Sequence, residues 1–182
     1  MKHLFILLIM FSSFSVSAQK TKPTTVKFHD ENNTTVVSFK KVKDFVLLGR
    51  WEKINETVNQ MKFYLKDNNS NKIGIGKLLQ KKAPFYKKNM ETMAFINTYI
   101  AMIEVSFSNE KTEYDFMVLE ETPNVDFKYY TVNSIESESN FHYRTINLIG
   151  VKNGIVYDLS AFINEGKEAE MKSLLMQLYN SN

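Results

Sequence analysis

Asn153-Gly154 restricts this chain more than any other pair of residues. It stands between two runs rich in Ile, Val, Leu and Tyr. Both residues accept the positive φ of a tight two-residue turn, so Arg144 to Ile163 is predicted to be a β-hairpin. A two-residue loop also sets the register. Gly150 then faces Tyr157, Leu148 faces Leu159 and Ile146 faces Ala161, which makes one face of the hairpin continuously apolar. Such a face needs a cover. Beyond Asn164-Glu165-Gly166, Met171, Leu174, Leu175 and Leu178 share one side of a helix running to about Tyr179, and that side supplies it. Glu168 and Lys172, four residues apart, are expected to pair on the other side.

The opposite end of the chain reads as a targeting segment. Lys2 and His3 form a short basic region, Leu4 to Phe11 is unbroken apolar sequence, and Val16-Ser17-Ala18 places small residues where signal peptidase cuts. A signal peptide over residues 1–18, cleaved between Ala18 and Gln19, is therefore expected. Eight apolar residues fall well short of the roughly 20 that span a bilayer. Residues 19–25 then form a polar, Pro-containing lead-in, and 26–182 a single domain with enough chain for a substantial core. The chain has no Cys, which excludes disulfides, thiol catalysis and lipid attachment through cysteine. A net charge of +3, one unit of it from Lys2, is no nucleic-acid signature. Export without disulfides suits a bacterial envelope, and the expected location is periplasmic or secreted.

Between these ends the pattern alternates strands with one long helix. Val26 to Phe28 and Val36 to Phe39 flank a turn at Asp30-Glu31-Asn32-Asn33, and Val42 to Trp51 is an apolar patch. Met61, Phe63 and Leu65 alternate with Lys62, Tyr64 and Lys66, which predicts a half-buried strand; Ile73 and Ile75 begin its partner. Met93, Ile96, Ile100, Ile103 and Phe107 form a core-facing helical stripe, with Glu91 expected in the first turn. Tyr114 to Leu119 and Phe127 to Val132 read as strands, and Ser134 to Asn140 as a polar loop. Short polar connections favour antiparallel pairing. The fold class is thus α+β: a mostly antiparallel sheet packed by one long central helix and one C-terminal helix.

Chemistry-bearing patterns are sparse. His29 and His142 are too far apart in sequence to supply two ligands from one helical face, and no metal or cofactor motif is present. Gly74-Ile75-Gly76-Lys77 lacks the helix and Ser/Thr of a phosphate loop and is read as strand glycines. Glu120-Glu121 and the Glu136, Glu138 pair lie in turn-rich sequence and read as solvated charge. One cluster invites a functional reading. Lys81, Lys82, Lys87 and Lys88 surround Phe85 and Tyr86, a combination suited to an anionic lipid or polysaccharide or to an acidic patch on a partner protein. The competing reading makes the two aromatics anchors for the long helix and leaves the lysines in water.

Two resemblances bear on the same question. Leu47-Leu48-Gly49-Arg50-Trp51 resembles the Gly-x-Trp start of lipocalin-like proteins, which would imply a carrier of a small apolar ligand. The helix expected from about Lys88 to Phe107 departs from the uninterrupted strands of such a barrel. The early strands, the helix bearing Phe95 and Tyr99, and the strands ending in Tyr157-Asp158-Leu159 before a closing helix resemble the PsbP-like α/β/α sandwich family. That resemblance implies a non-catalytic binding or assembly protein and carries no site residues. The resulting expectation is an exported binding or assembly protein, its partner an envelope protein or an anionic surface or lipid. A ligand carrier is the alternative, and a hydrolase of unfamiliar type stands third.

Overall fold

The structure is a computed structural model that describes residues 25–39, 42–54, 62–108, 113–119, 125–136 and 141–182. The expected cleavage site at Ala18 and Gln19, the Glu120-Glu121 pair and Glu138 lie outside them. Ten strands are present in chain order among these residues. They are β1 (Thr25–His29), β2 (Thr34–Phe39), β3 (Val42–Leu48), β4 (Trp51–Ile54), β5 (Phe63–Asp67), β6 (Lys72–Leu79), β7 (Glu113–Val118), β8 (Phe127–Glu136), β9 (Phe141–Lys152) and β10 (Ile155–Phe162). The helix α1 (Thr92–Ser108) separates β6 from β7, and α2 (Glu168–Asn180) follows β10. The strands make a three-stranded sheet, β1-β2-β3, and a seven-stranded sheet ordered β4-β5-β6-β10-β9-β8-β7, with antiparallel pairing throughout. This is the α+β class expected.

The hairpin register is the one its turn dictates: Tyr157 pairs with Gly150, Leu159 with Leu148 and Ala161 with Ile146. Asn153 and Gly154 take φ of 51° and 71°, the left-handed conformation that the two-residue turn requires. Ile146, Leu148, Leu159 and Ala161 are fully buried beneath Met171, Leu175 and Leu178 of α2. Val37, Phe39, Phe45 and Leu47 of the small sheet join the same core, so α2 and the small sheet together cover this face.

Gly150 has a use that its neighbours do not suggest. The Tyr179 ring lies directly over it, where a Cβ would overlap ring carbons. Tyr179 cannot easily withdraw, because its hydroxyl donates to the Asp126 carbonyl at 3.0 Å and Lys152 Nζ lies 4.1 Å from the ring centroid. Burial, helped by Asp126, pushes that phenol far above its ordinary pKa.

On the other face α1 presents Phe95, Ile96, Tyr99 and Ile100 to Tyr130, Val132, Ile149, Val151 and Val156. The helix begins at Thr92, later than the expected start near Lys88. Asn89 is left-handed (φ 65°) and Met90 N–H closes a turn onto Lys87, so Glu91 precedes the helix and gives its carbonyl to Phe95 N–H at 2.9 Å. Three further expectations change. Ser134 to Glu136 extends β8 rather than forming a loop, because β9 is long enough to pair it (Ser134 with Tyr143, Glu136 with Phe141). Glu168 pairs with Arg144 at 2.8 Å instead of with Lys172, whose ammonium sits 4.7 Å over the Tyr129 ring. The β5 strand is not half-buried in the simple sense: Leu65 is buried on one side and Tyr64 on the other.

Gly150→Ala should lower stability by about 1–3 kcal/mol through overpacking against a ring held by hydrogen bonds. Thermal melts of Gly150→Ala and Gly150→Ala/Tyr179→Leu check this: the second change should recover part of the loss, and an unaltered melt for the single variant would contradict the contact.

Candidate functional site

The Lys81–Lys88 connector starts with a short 3-10 turn at Gln80–Lys82, fixed to the hairpin by Gln80 N–H on the Gly154 carbonyl at 2.8 Å. Ala83 is buried, and Phe85 and Tyr86 lie 4.9 and 6.5 Å from the Phe95 ring, so both aromatics face α1. Their burial leaves Lys81, Lys82, Lys87 and Lys88 exposed on a loop closed by Ala83 N–H to Gln80 and Tyr86 N–H to Ala83. None of the four has a carboxylate partner among the described residues. Anchored aromatics and a cationic rim therefore occur together.

A second constellation lies beneath α1, and no motif announced it. Asp158 of β10 is buried, and the ammonium of Lys62, from the residue before β5, reaches its Oδ1 at 2.6 Å. The two residues stand on strands either side of β6. Lys62 crosses because Asp158 is paired with Gly76, where a Cβ would come within 3.3 Å of Lys62 Cγ. One row along, Gly74 sits between Tyr64 and Ser160, and a Cβ there would lie 2.5 Å from Ser160 Oγ and 2.7 Å from the Tyr64 ring. The strand-glycine reading of Gly74-Ile75-Gly76 thus holds, for a reason of packing. The close ion pair with Lys62 is the main compensation for the burial of Asp158, and the Tyr99 phenol also interacts with its carboxylate. Burial first, and then the Asp158 charge, hold the phenols of Tyr99 and Tyr130 well above their ordinary pKa. Alternate glycines in β6, matched in parity to Lys62 and Tyr64, are the signal that would have located this row.

Lys77, next in β6, points to the opposite face and ends among rings. Its Nζ is 4.0 Å from the Phe45 centroid, 4.5 Å from Phe39 and 5.2 Å from Tyr157, and donates to the Lys43 carbonyl at 3.3 Å. Burial lowers its pKa to about 8, with the Asp44 charge working against that shift. The rings come from both sheets, so this ammonium ties the small sheet to the large one.

The Gly49-Arg50-Trp51 stretch is where the chain passes between the sheets. The apolar patch from Val42 to Trp51 is two strands, because Gly49 at φ 81° turns the backbone after β3. Thr35 Oγ1 holds the corner, donating to the Gly49 carbonyl at 2.8 Å and accepting from Trp51 N–H at 2.9 Å, while Trp51 Nε1 donates to Leu48 O at 2.9 Å. The Gly-x-Trp pattern is therefore a strand corner here. The large sheet is open, with β4 and β7 at its edges, and does not close into a barrel. A cleft of about 490 Å³ opens beside the corner, lined by the apolar Phe28 and Leu48, by Gly49, and by the polar Asn33, Arg50, Asp67, Asn68 and Asn69.

The remaining candidates contribute little geometry. His29 Nδ1 lies 3.1 Å from Glu31 at the first turn. The side chains of Glu136 and His142 lie outside what is described. Among the described residues no three His, Asp or Glu side chains gather to hold a metal ion, and no helix is long and apolar enough to cross a membrane. No family model matches the sequence. No curated protein matches it either. Among solved structures the chain is similar to the solution structure of cyanobacterial PsbP (CyanoP) from Synechocystis sp. PCC 6803, with a TM-score of 0.44 and 9% identity over 86% of this chain and 89% of that one. The likeness is partial. Function has to be read from this chain's own side chains.

Removing Asp158 alone should strand a buried ammonium. Asp158→Ala is expected to cost about 3–5 kcal/mol, whereas Lys62→Met/Asp158→Val should regain most of it; chemical denaturation of the three proteins measures both. For Lys77 the folded pKa lies below the ordinary 10.5. The unfolded chain therefore binds more protons between about pH 8 and 10, and the contribution of this residue to stability rises with pH across that window. Lys77→Met should flatten the rise, and parallel pH profiles for parent and variant would refute the assignment.

Proposed function

We propose that this protein is an exported, non-catalytic binding or assembly protein that docks an acidic partner through the Lys81–Lys88 loop. One observation carries the reading. Four exposed lysines without carboxylate partners among the described residues are held on a short loop whose Ala83, Phe85 and Tyr86 are packed into the α1 core. Because the loop backbone is already held, only the lysine side chains have to be ordered when the rim meets an anionic surface, which lowers the cost of association relative to a mobile loop. Among the described residues the large sheet is open, with β4 and β7 at its edges, so the carrier reading has no barrel interior to rest on and would rest instead on the cleft beside Gly49. The amino-terminal sequence from Lys2 to Ala18 supports export.

Replacing Lys81, Lys82, Lys87 and Lys88 together with Gln leaves the packed aromatics in place and removes four charges. Affinity capture from envelope extract should then lose the acidic proteins retained by the parent, and the parent's capture should weaken steeply as salt is raised. Co-sedimentation with anionic vesicles separates a lipid partner from a protein one. Equal capture by the parent and the quadruple Gln variant would overturn the assignment of this loop.

A further inference from the structure

The geometry points to the cleft at the Gly49 corner as a binding site for a small carboxylate carrying an apolar body. Its dimensions come first: about 490 Å³ falls within the range of small-molecule sites. Its walls are chemically divided. Phe28 is partly buried and Leu48 is 78% exposed, so an apolar group laid against them would remove that surface from water. The rim supplies donors. Arg50 lies with its guanidinium carbon 5.4 Å over the Phe28 ring, and its Nε is taken by Glu52 at 3.2 Å. Its two Nη groups have no partner among the described residues, and they form the edge that receives a carboxylate through two parallel hydrogen bonds.

Two carboxylates nearby keep their charge but are directed elsewhere, Glu52 onto Arg50 Nε and Asp67 onto its own loop. Asp67 lines the same cleft, but its Oδ1 accepts from Asn69 N–H at 2.9 Å and Asn71 N–H at 2.8 Å, and its Oδ2 from Asn71 Nδ2 at 2.8 Å. The carboxylate thus shapes the loop backbone that carries the exposed Asn68 and Asn69. Those amides and that of Asn33, which also lines the cleft, offer further hydrogen bonds to an anion or to a polar substituent on the ligand. The corner beneath is rigid, since Thr35 bonds both Gly49 and Trp51. The site is separate from the Lys81–Lys88 loop and does not depend on its role.

Trp51, the only tryptophan in the chain, is buried behind the cleft lining and bonded to the Leu48 carbonyl, so its emission is placed to sense changes at the corner. Titration of the full chain with phenylacetate should give saturable shifts confined to the amide NMR signals of Gly49, Arg50, Asn68 and Asn69, with a matching change in Trp51 emission. Phenylethanol, which lacks the charge, should bind about tenfold more weakly, and Arg50→Gln should weaken phenylacetate about tenfold while the melting temperature stays at the parent value. Inorganic phosphate, lacking the apolar body, should give no saturation at matched concentrations. Absence of saturable phenylacetate shifts, equal affinity for phenylethanol or phosphate, or undiminished binding by Arg50→Gln would each overturn the proposal.

Discussion

Strand β10 must satisfy two layers of opposite chemistry, and the rest of the architecture follows from how it does so. Its residues alternate between Tyr157, Leu159 and Ala161, facing α2, and Val156, Asp158 and Ser160, facing α1. A strand at the centre of a covered sheet is buried on both sides, so each polar residue there needs a partner from within the protein. Asp158 finds Lys62, and the bare backbone at Gly76 is what lets that lysine reach across an intervening strand. The apolar face has the reverse arrangement. A glycine at 150 opens a slot and Tyr179, carried in by the last turn of α2, fills it.

Each glycine is therefore half of a contact whose other half lies elsewhere in the chain, and this decides what could be read in advance. The hairpin was legible because its information is local: Asn153-Gly154 selects the turn and the turn selects the register. The stripes of α1 and α2 were legible because helical spacing repeats within a few residues. Lys62 and Asp158 were not, since nothing near either one names the other. Glu168 had two eligible cations, and Arg144 on β9 prevailed over Lys172, whose ammonium lies over an aromatic ring instead. The patch around Gly49 carries no cluster of turn formers where the chain changes sheets; a single Gly49-Arg50 pair separates Leu48 from Trp51, and the positive φ of Gly49 makes the corner.

The candidate sites divide along the same line. The lysine-rich connector was visible as composition, and what the fold adds is the direction in which its aromatics turn. The Lys77 cage and the cleft beside Arg50 were invisible, because each gathers residues from separate strands of both sheets. Both border the small sheet. Whatever moves β1, β2 and β3 relative to the large sheet would change the surroundings of the Lys77 ammonium and the mouth of the cleft together.

The order of strands also has a consequence for the time at which the protein can become itself. In the large sheet β6 is hydrogen-bonded on one side to β5, made just before it, and on the other to β10, made near the end of the chain. During synthesis one edge of β6 therefore has no partner until residues 155–162 have emerged, and Lys62 has no counter-ion until Asp158 arrives. Long-range pairing of this kind is slow and leaves a strand edge open to other chains in the interval. A newly made molecule is thus obliged to remain uncommitted, with an unpaired edge exposed, until the final hairpin closes the sheet.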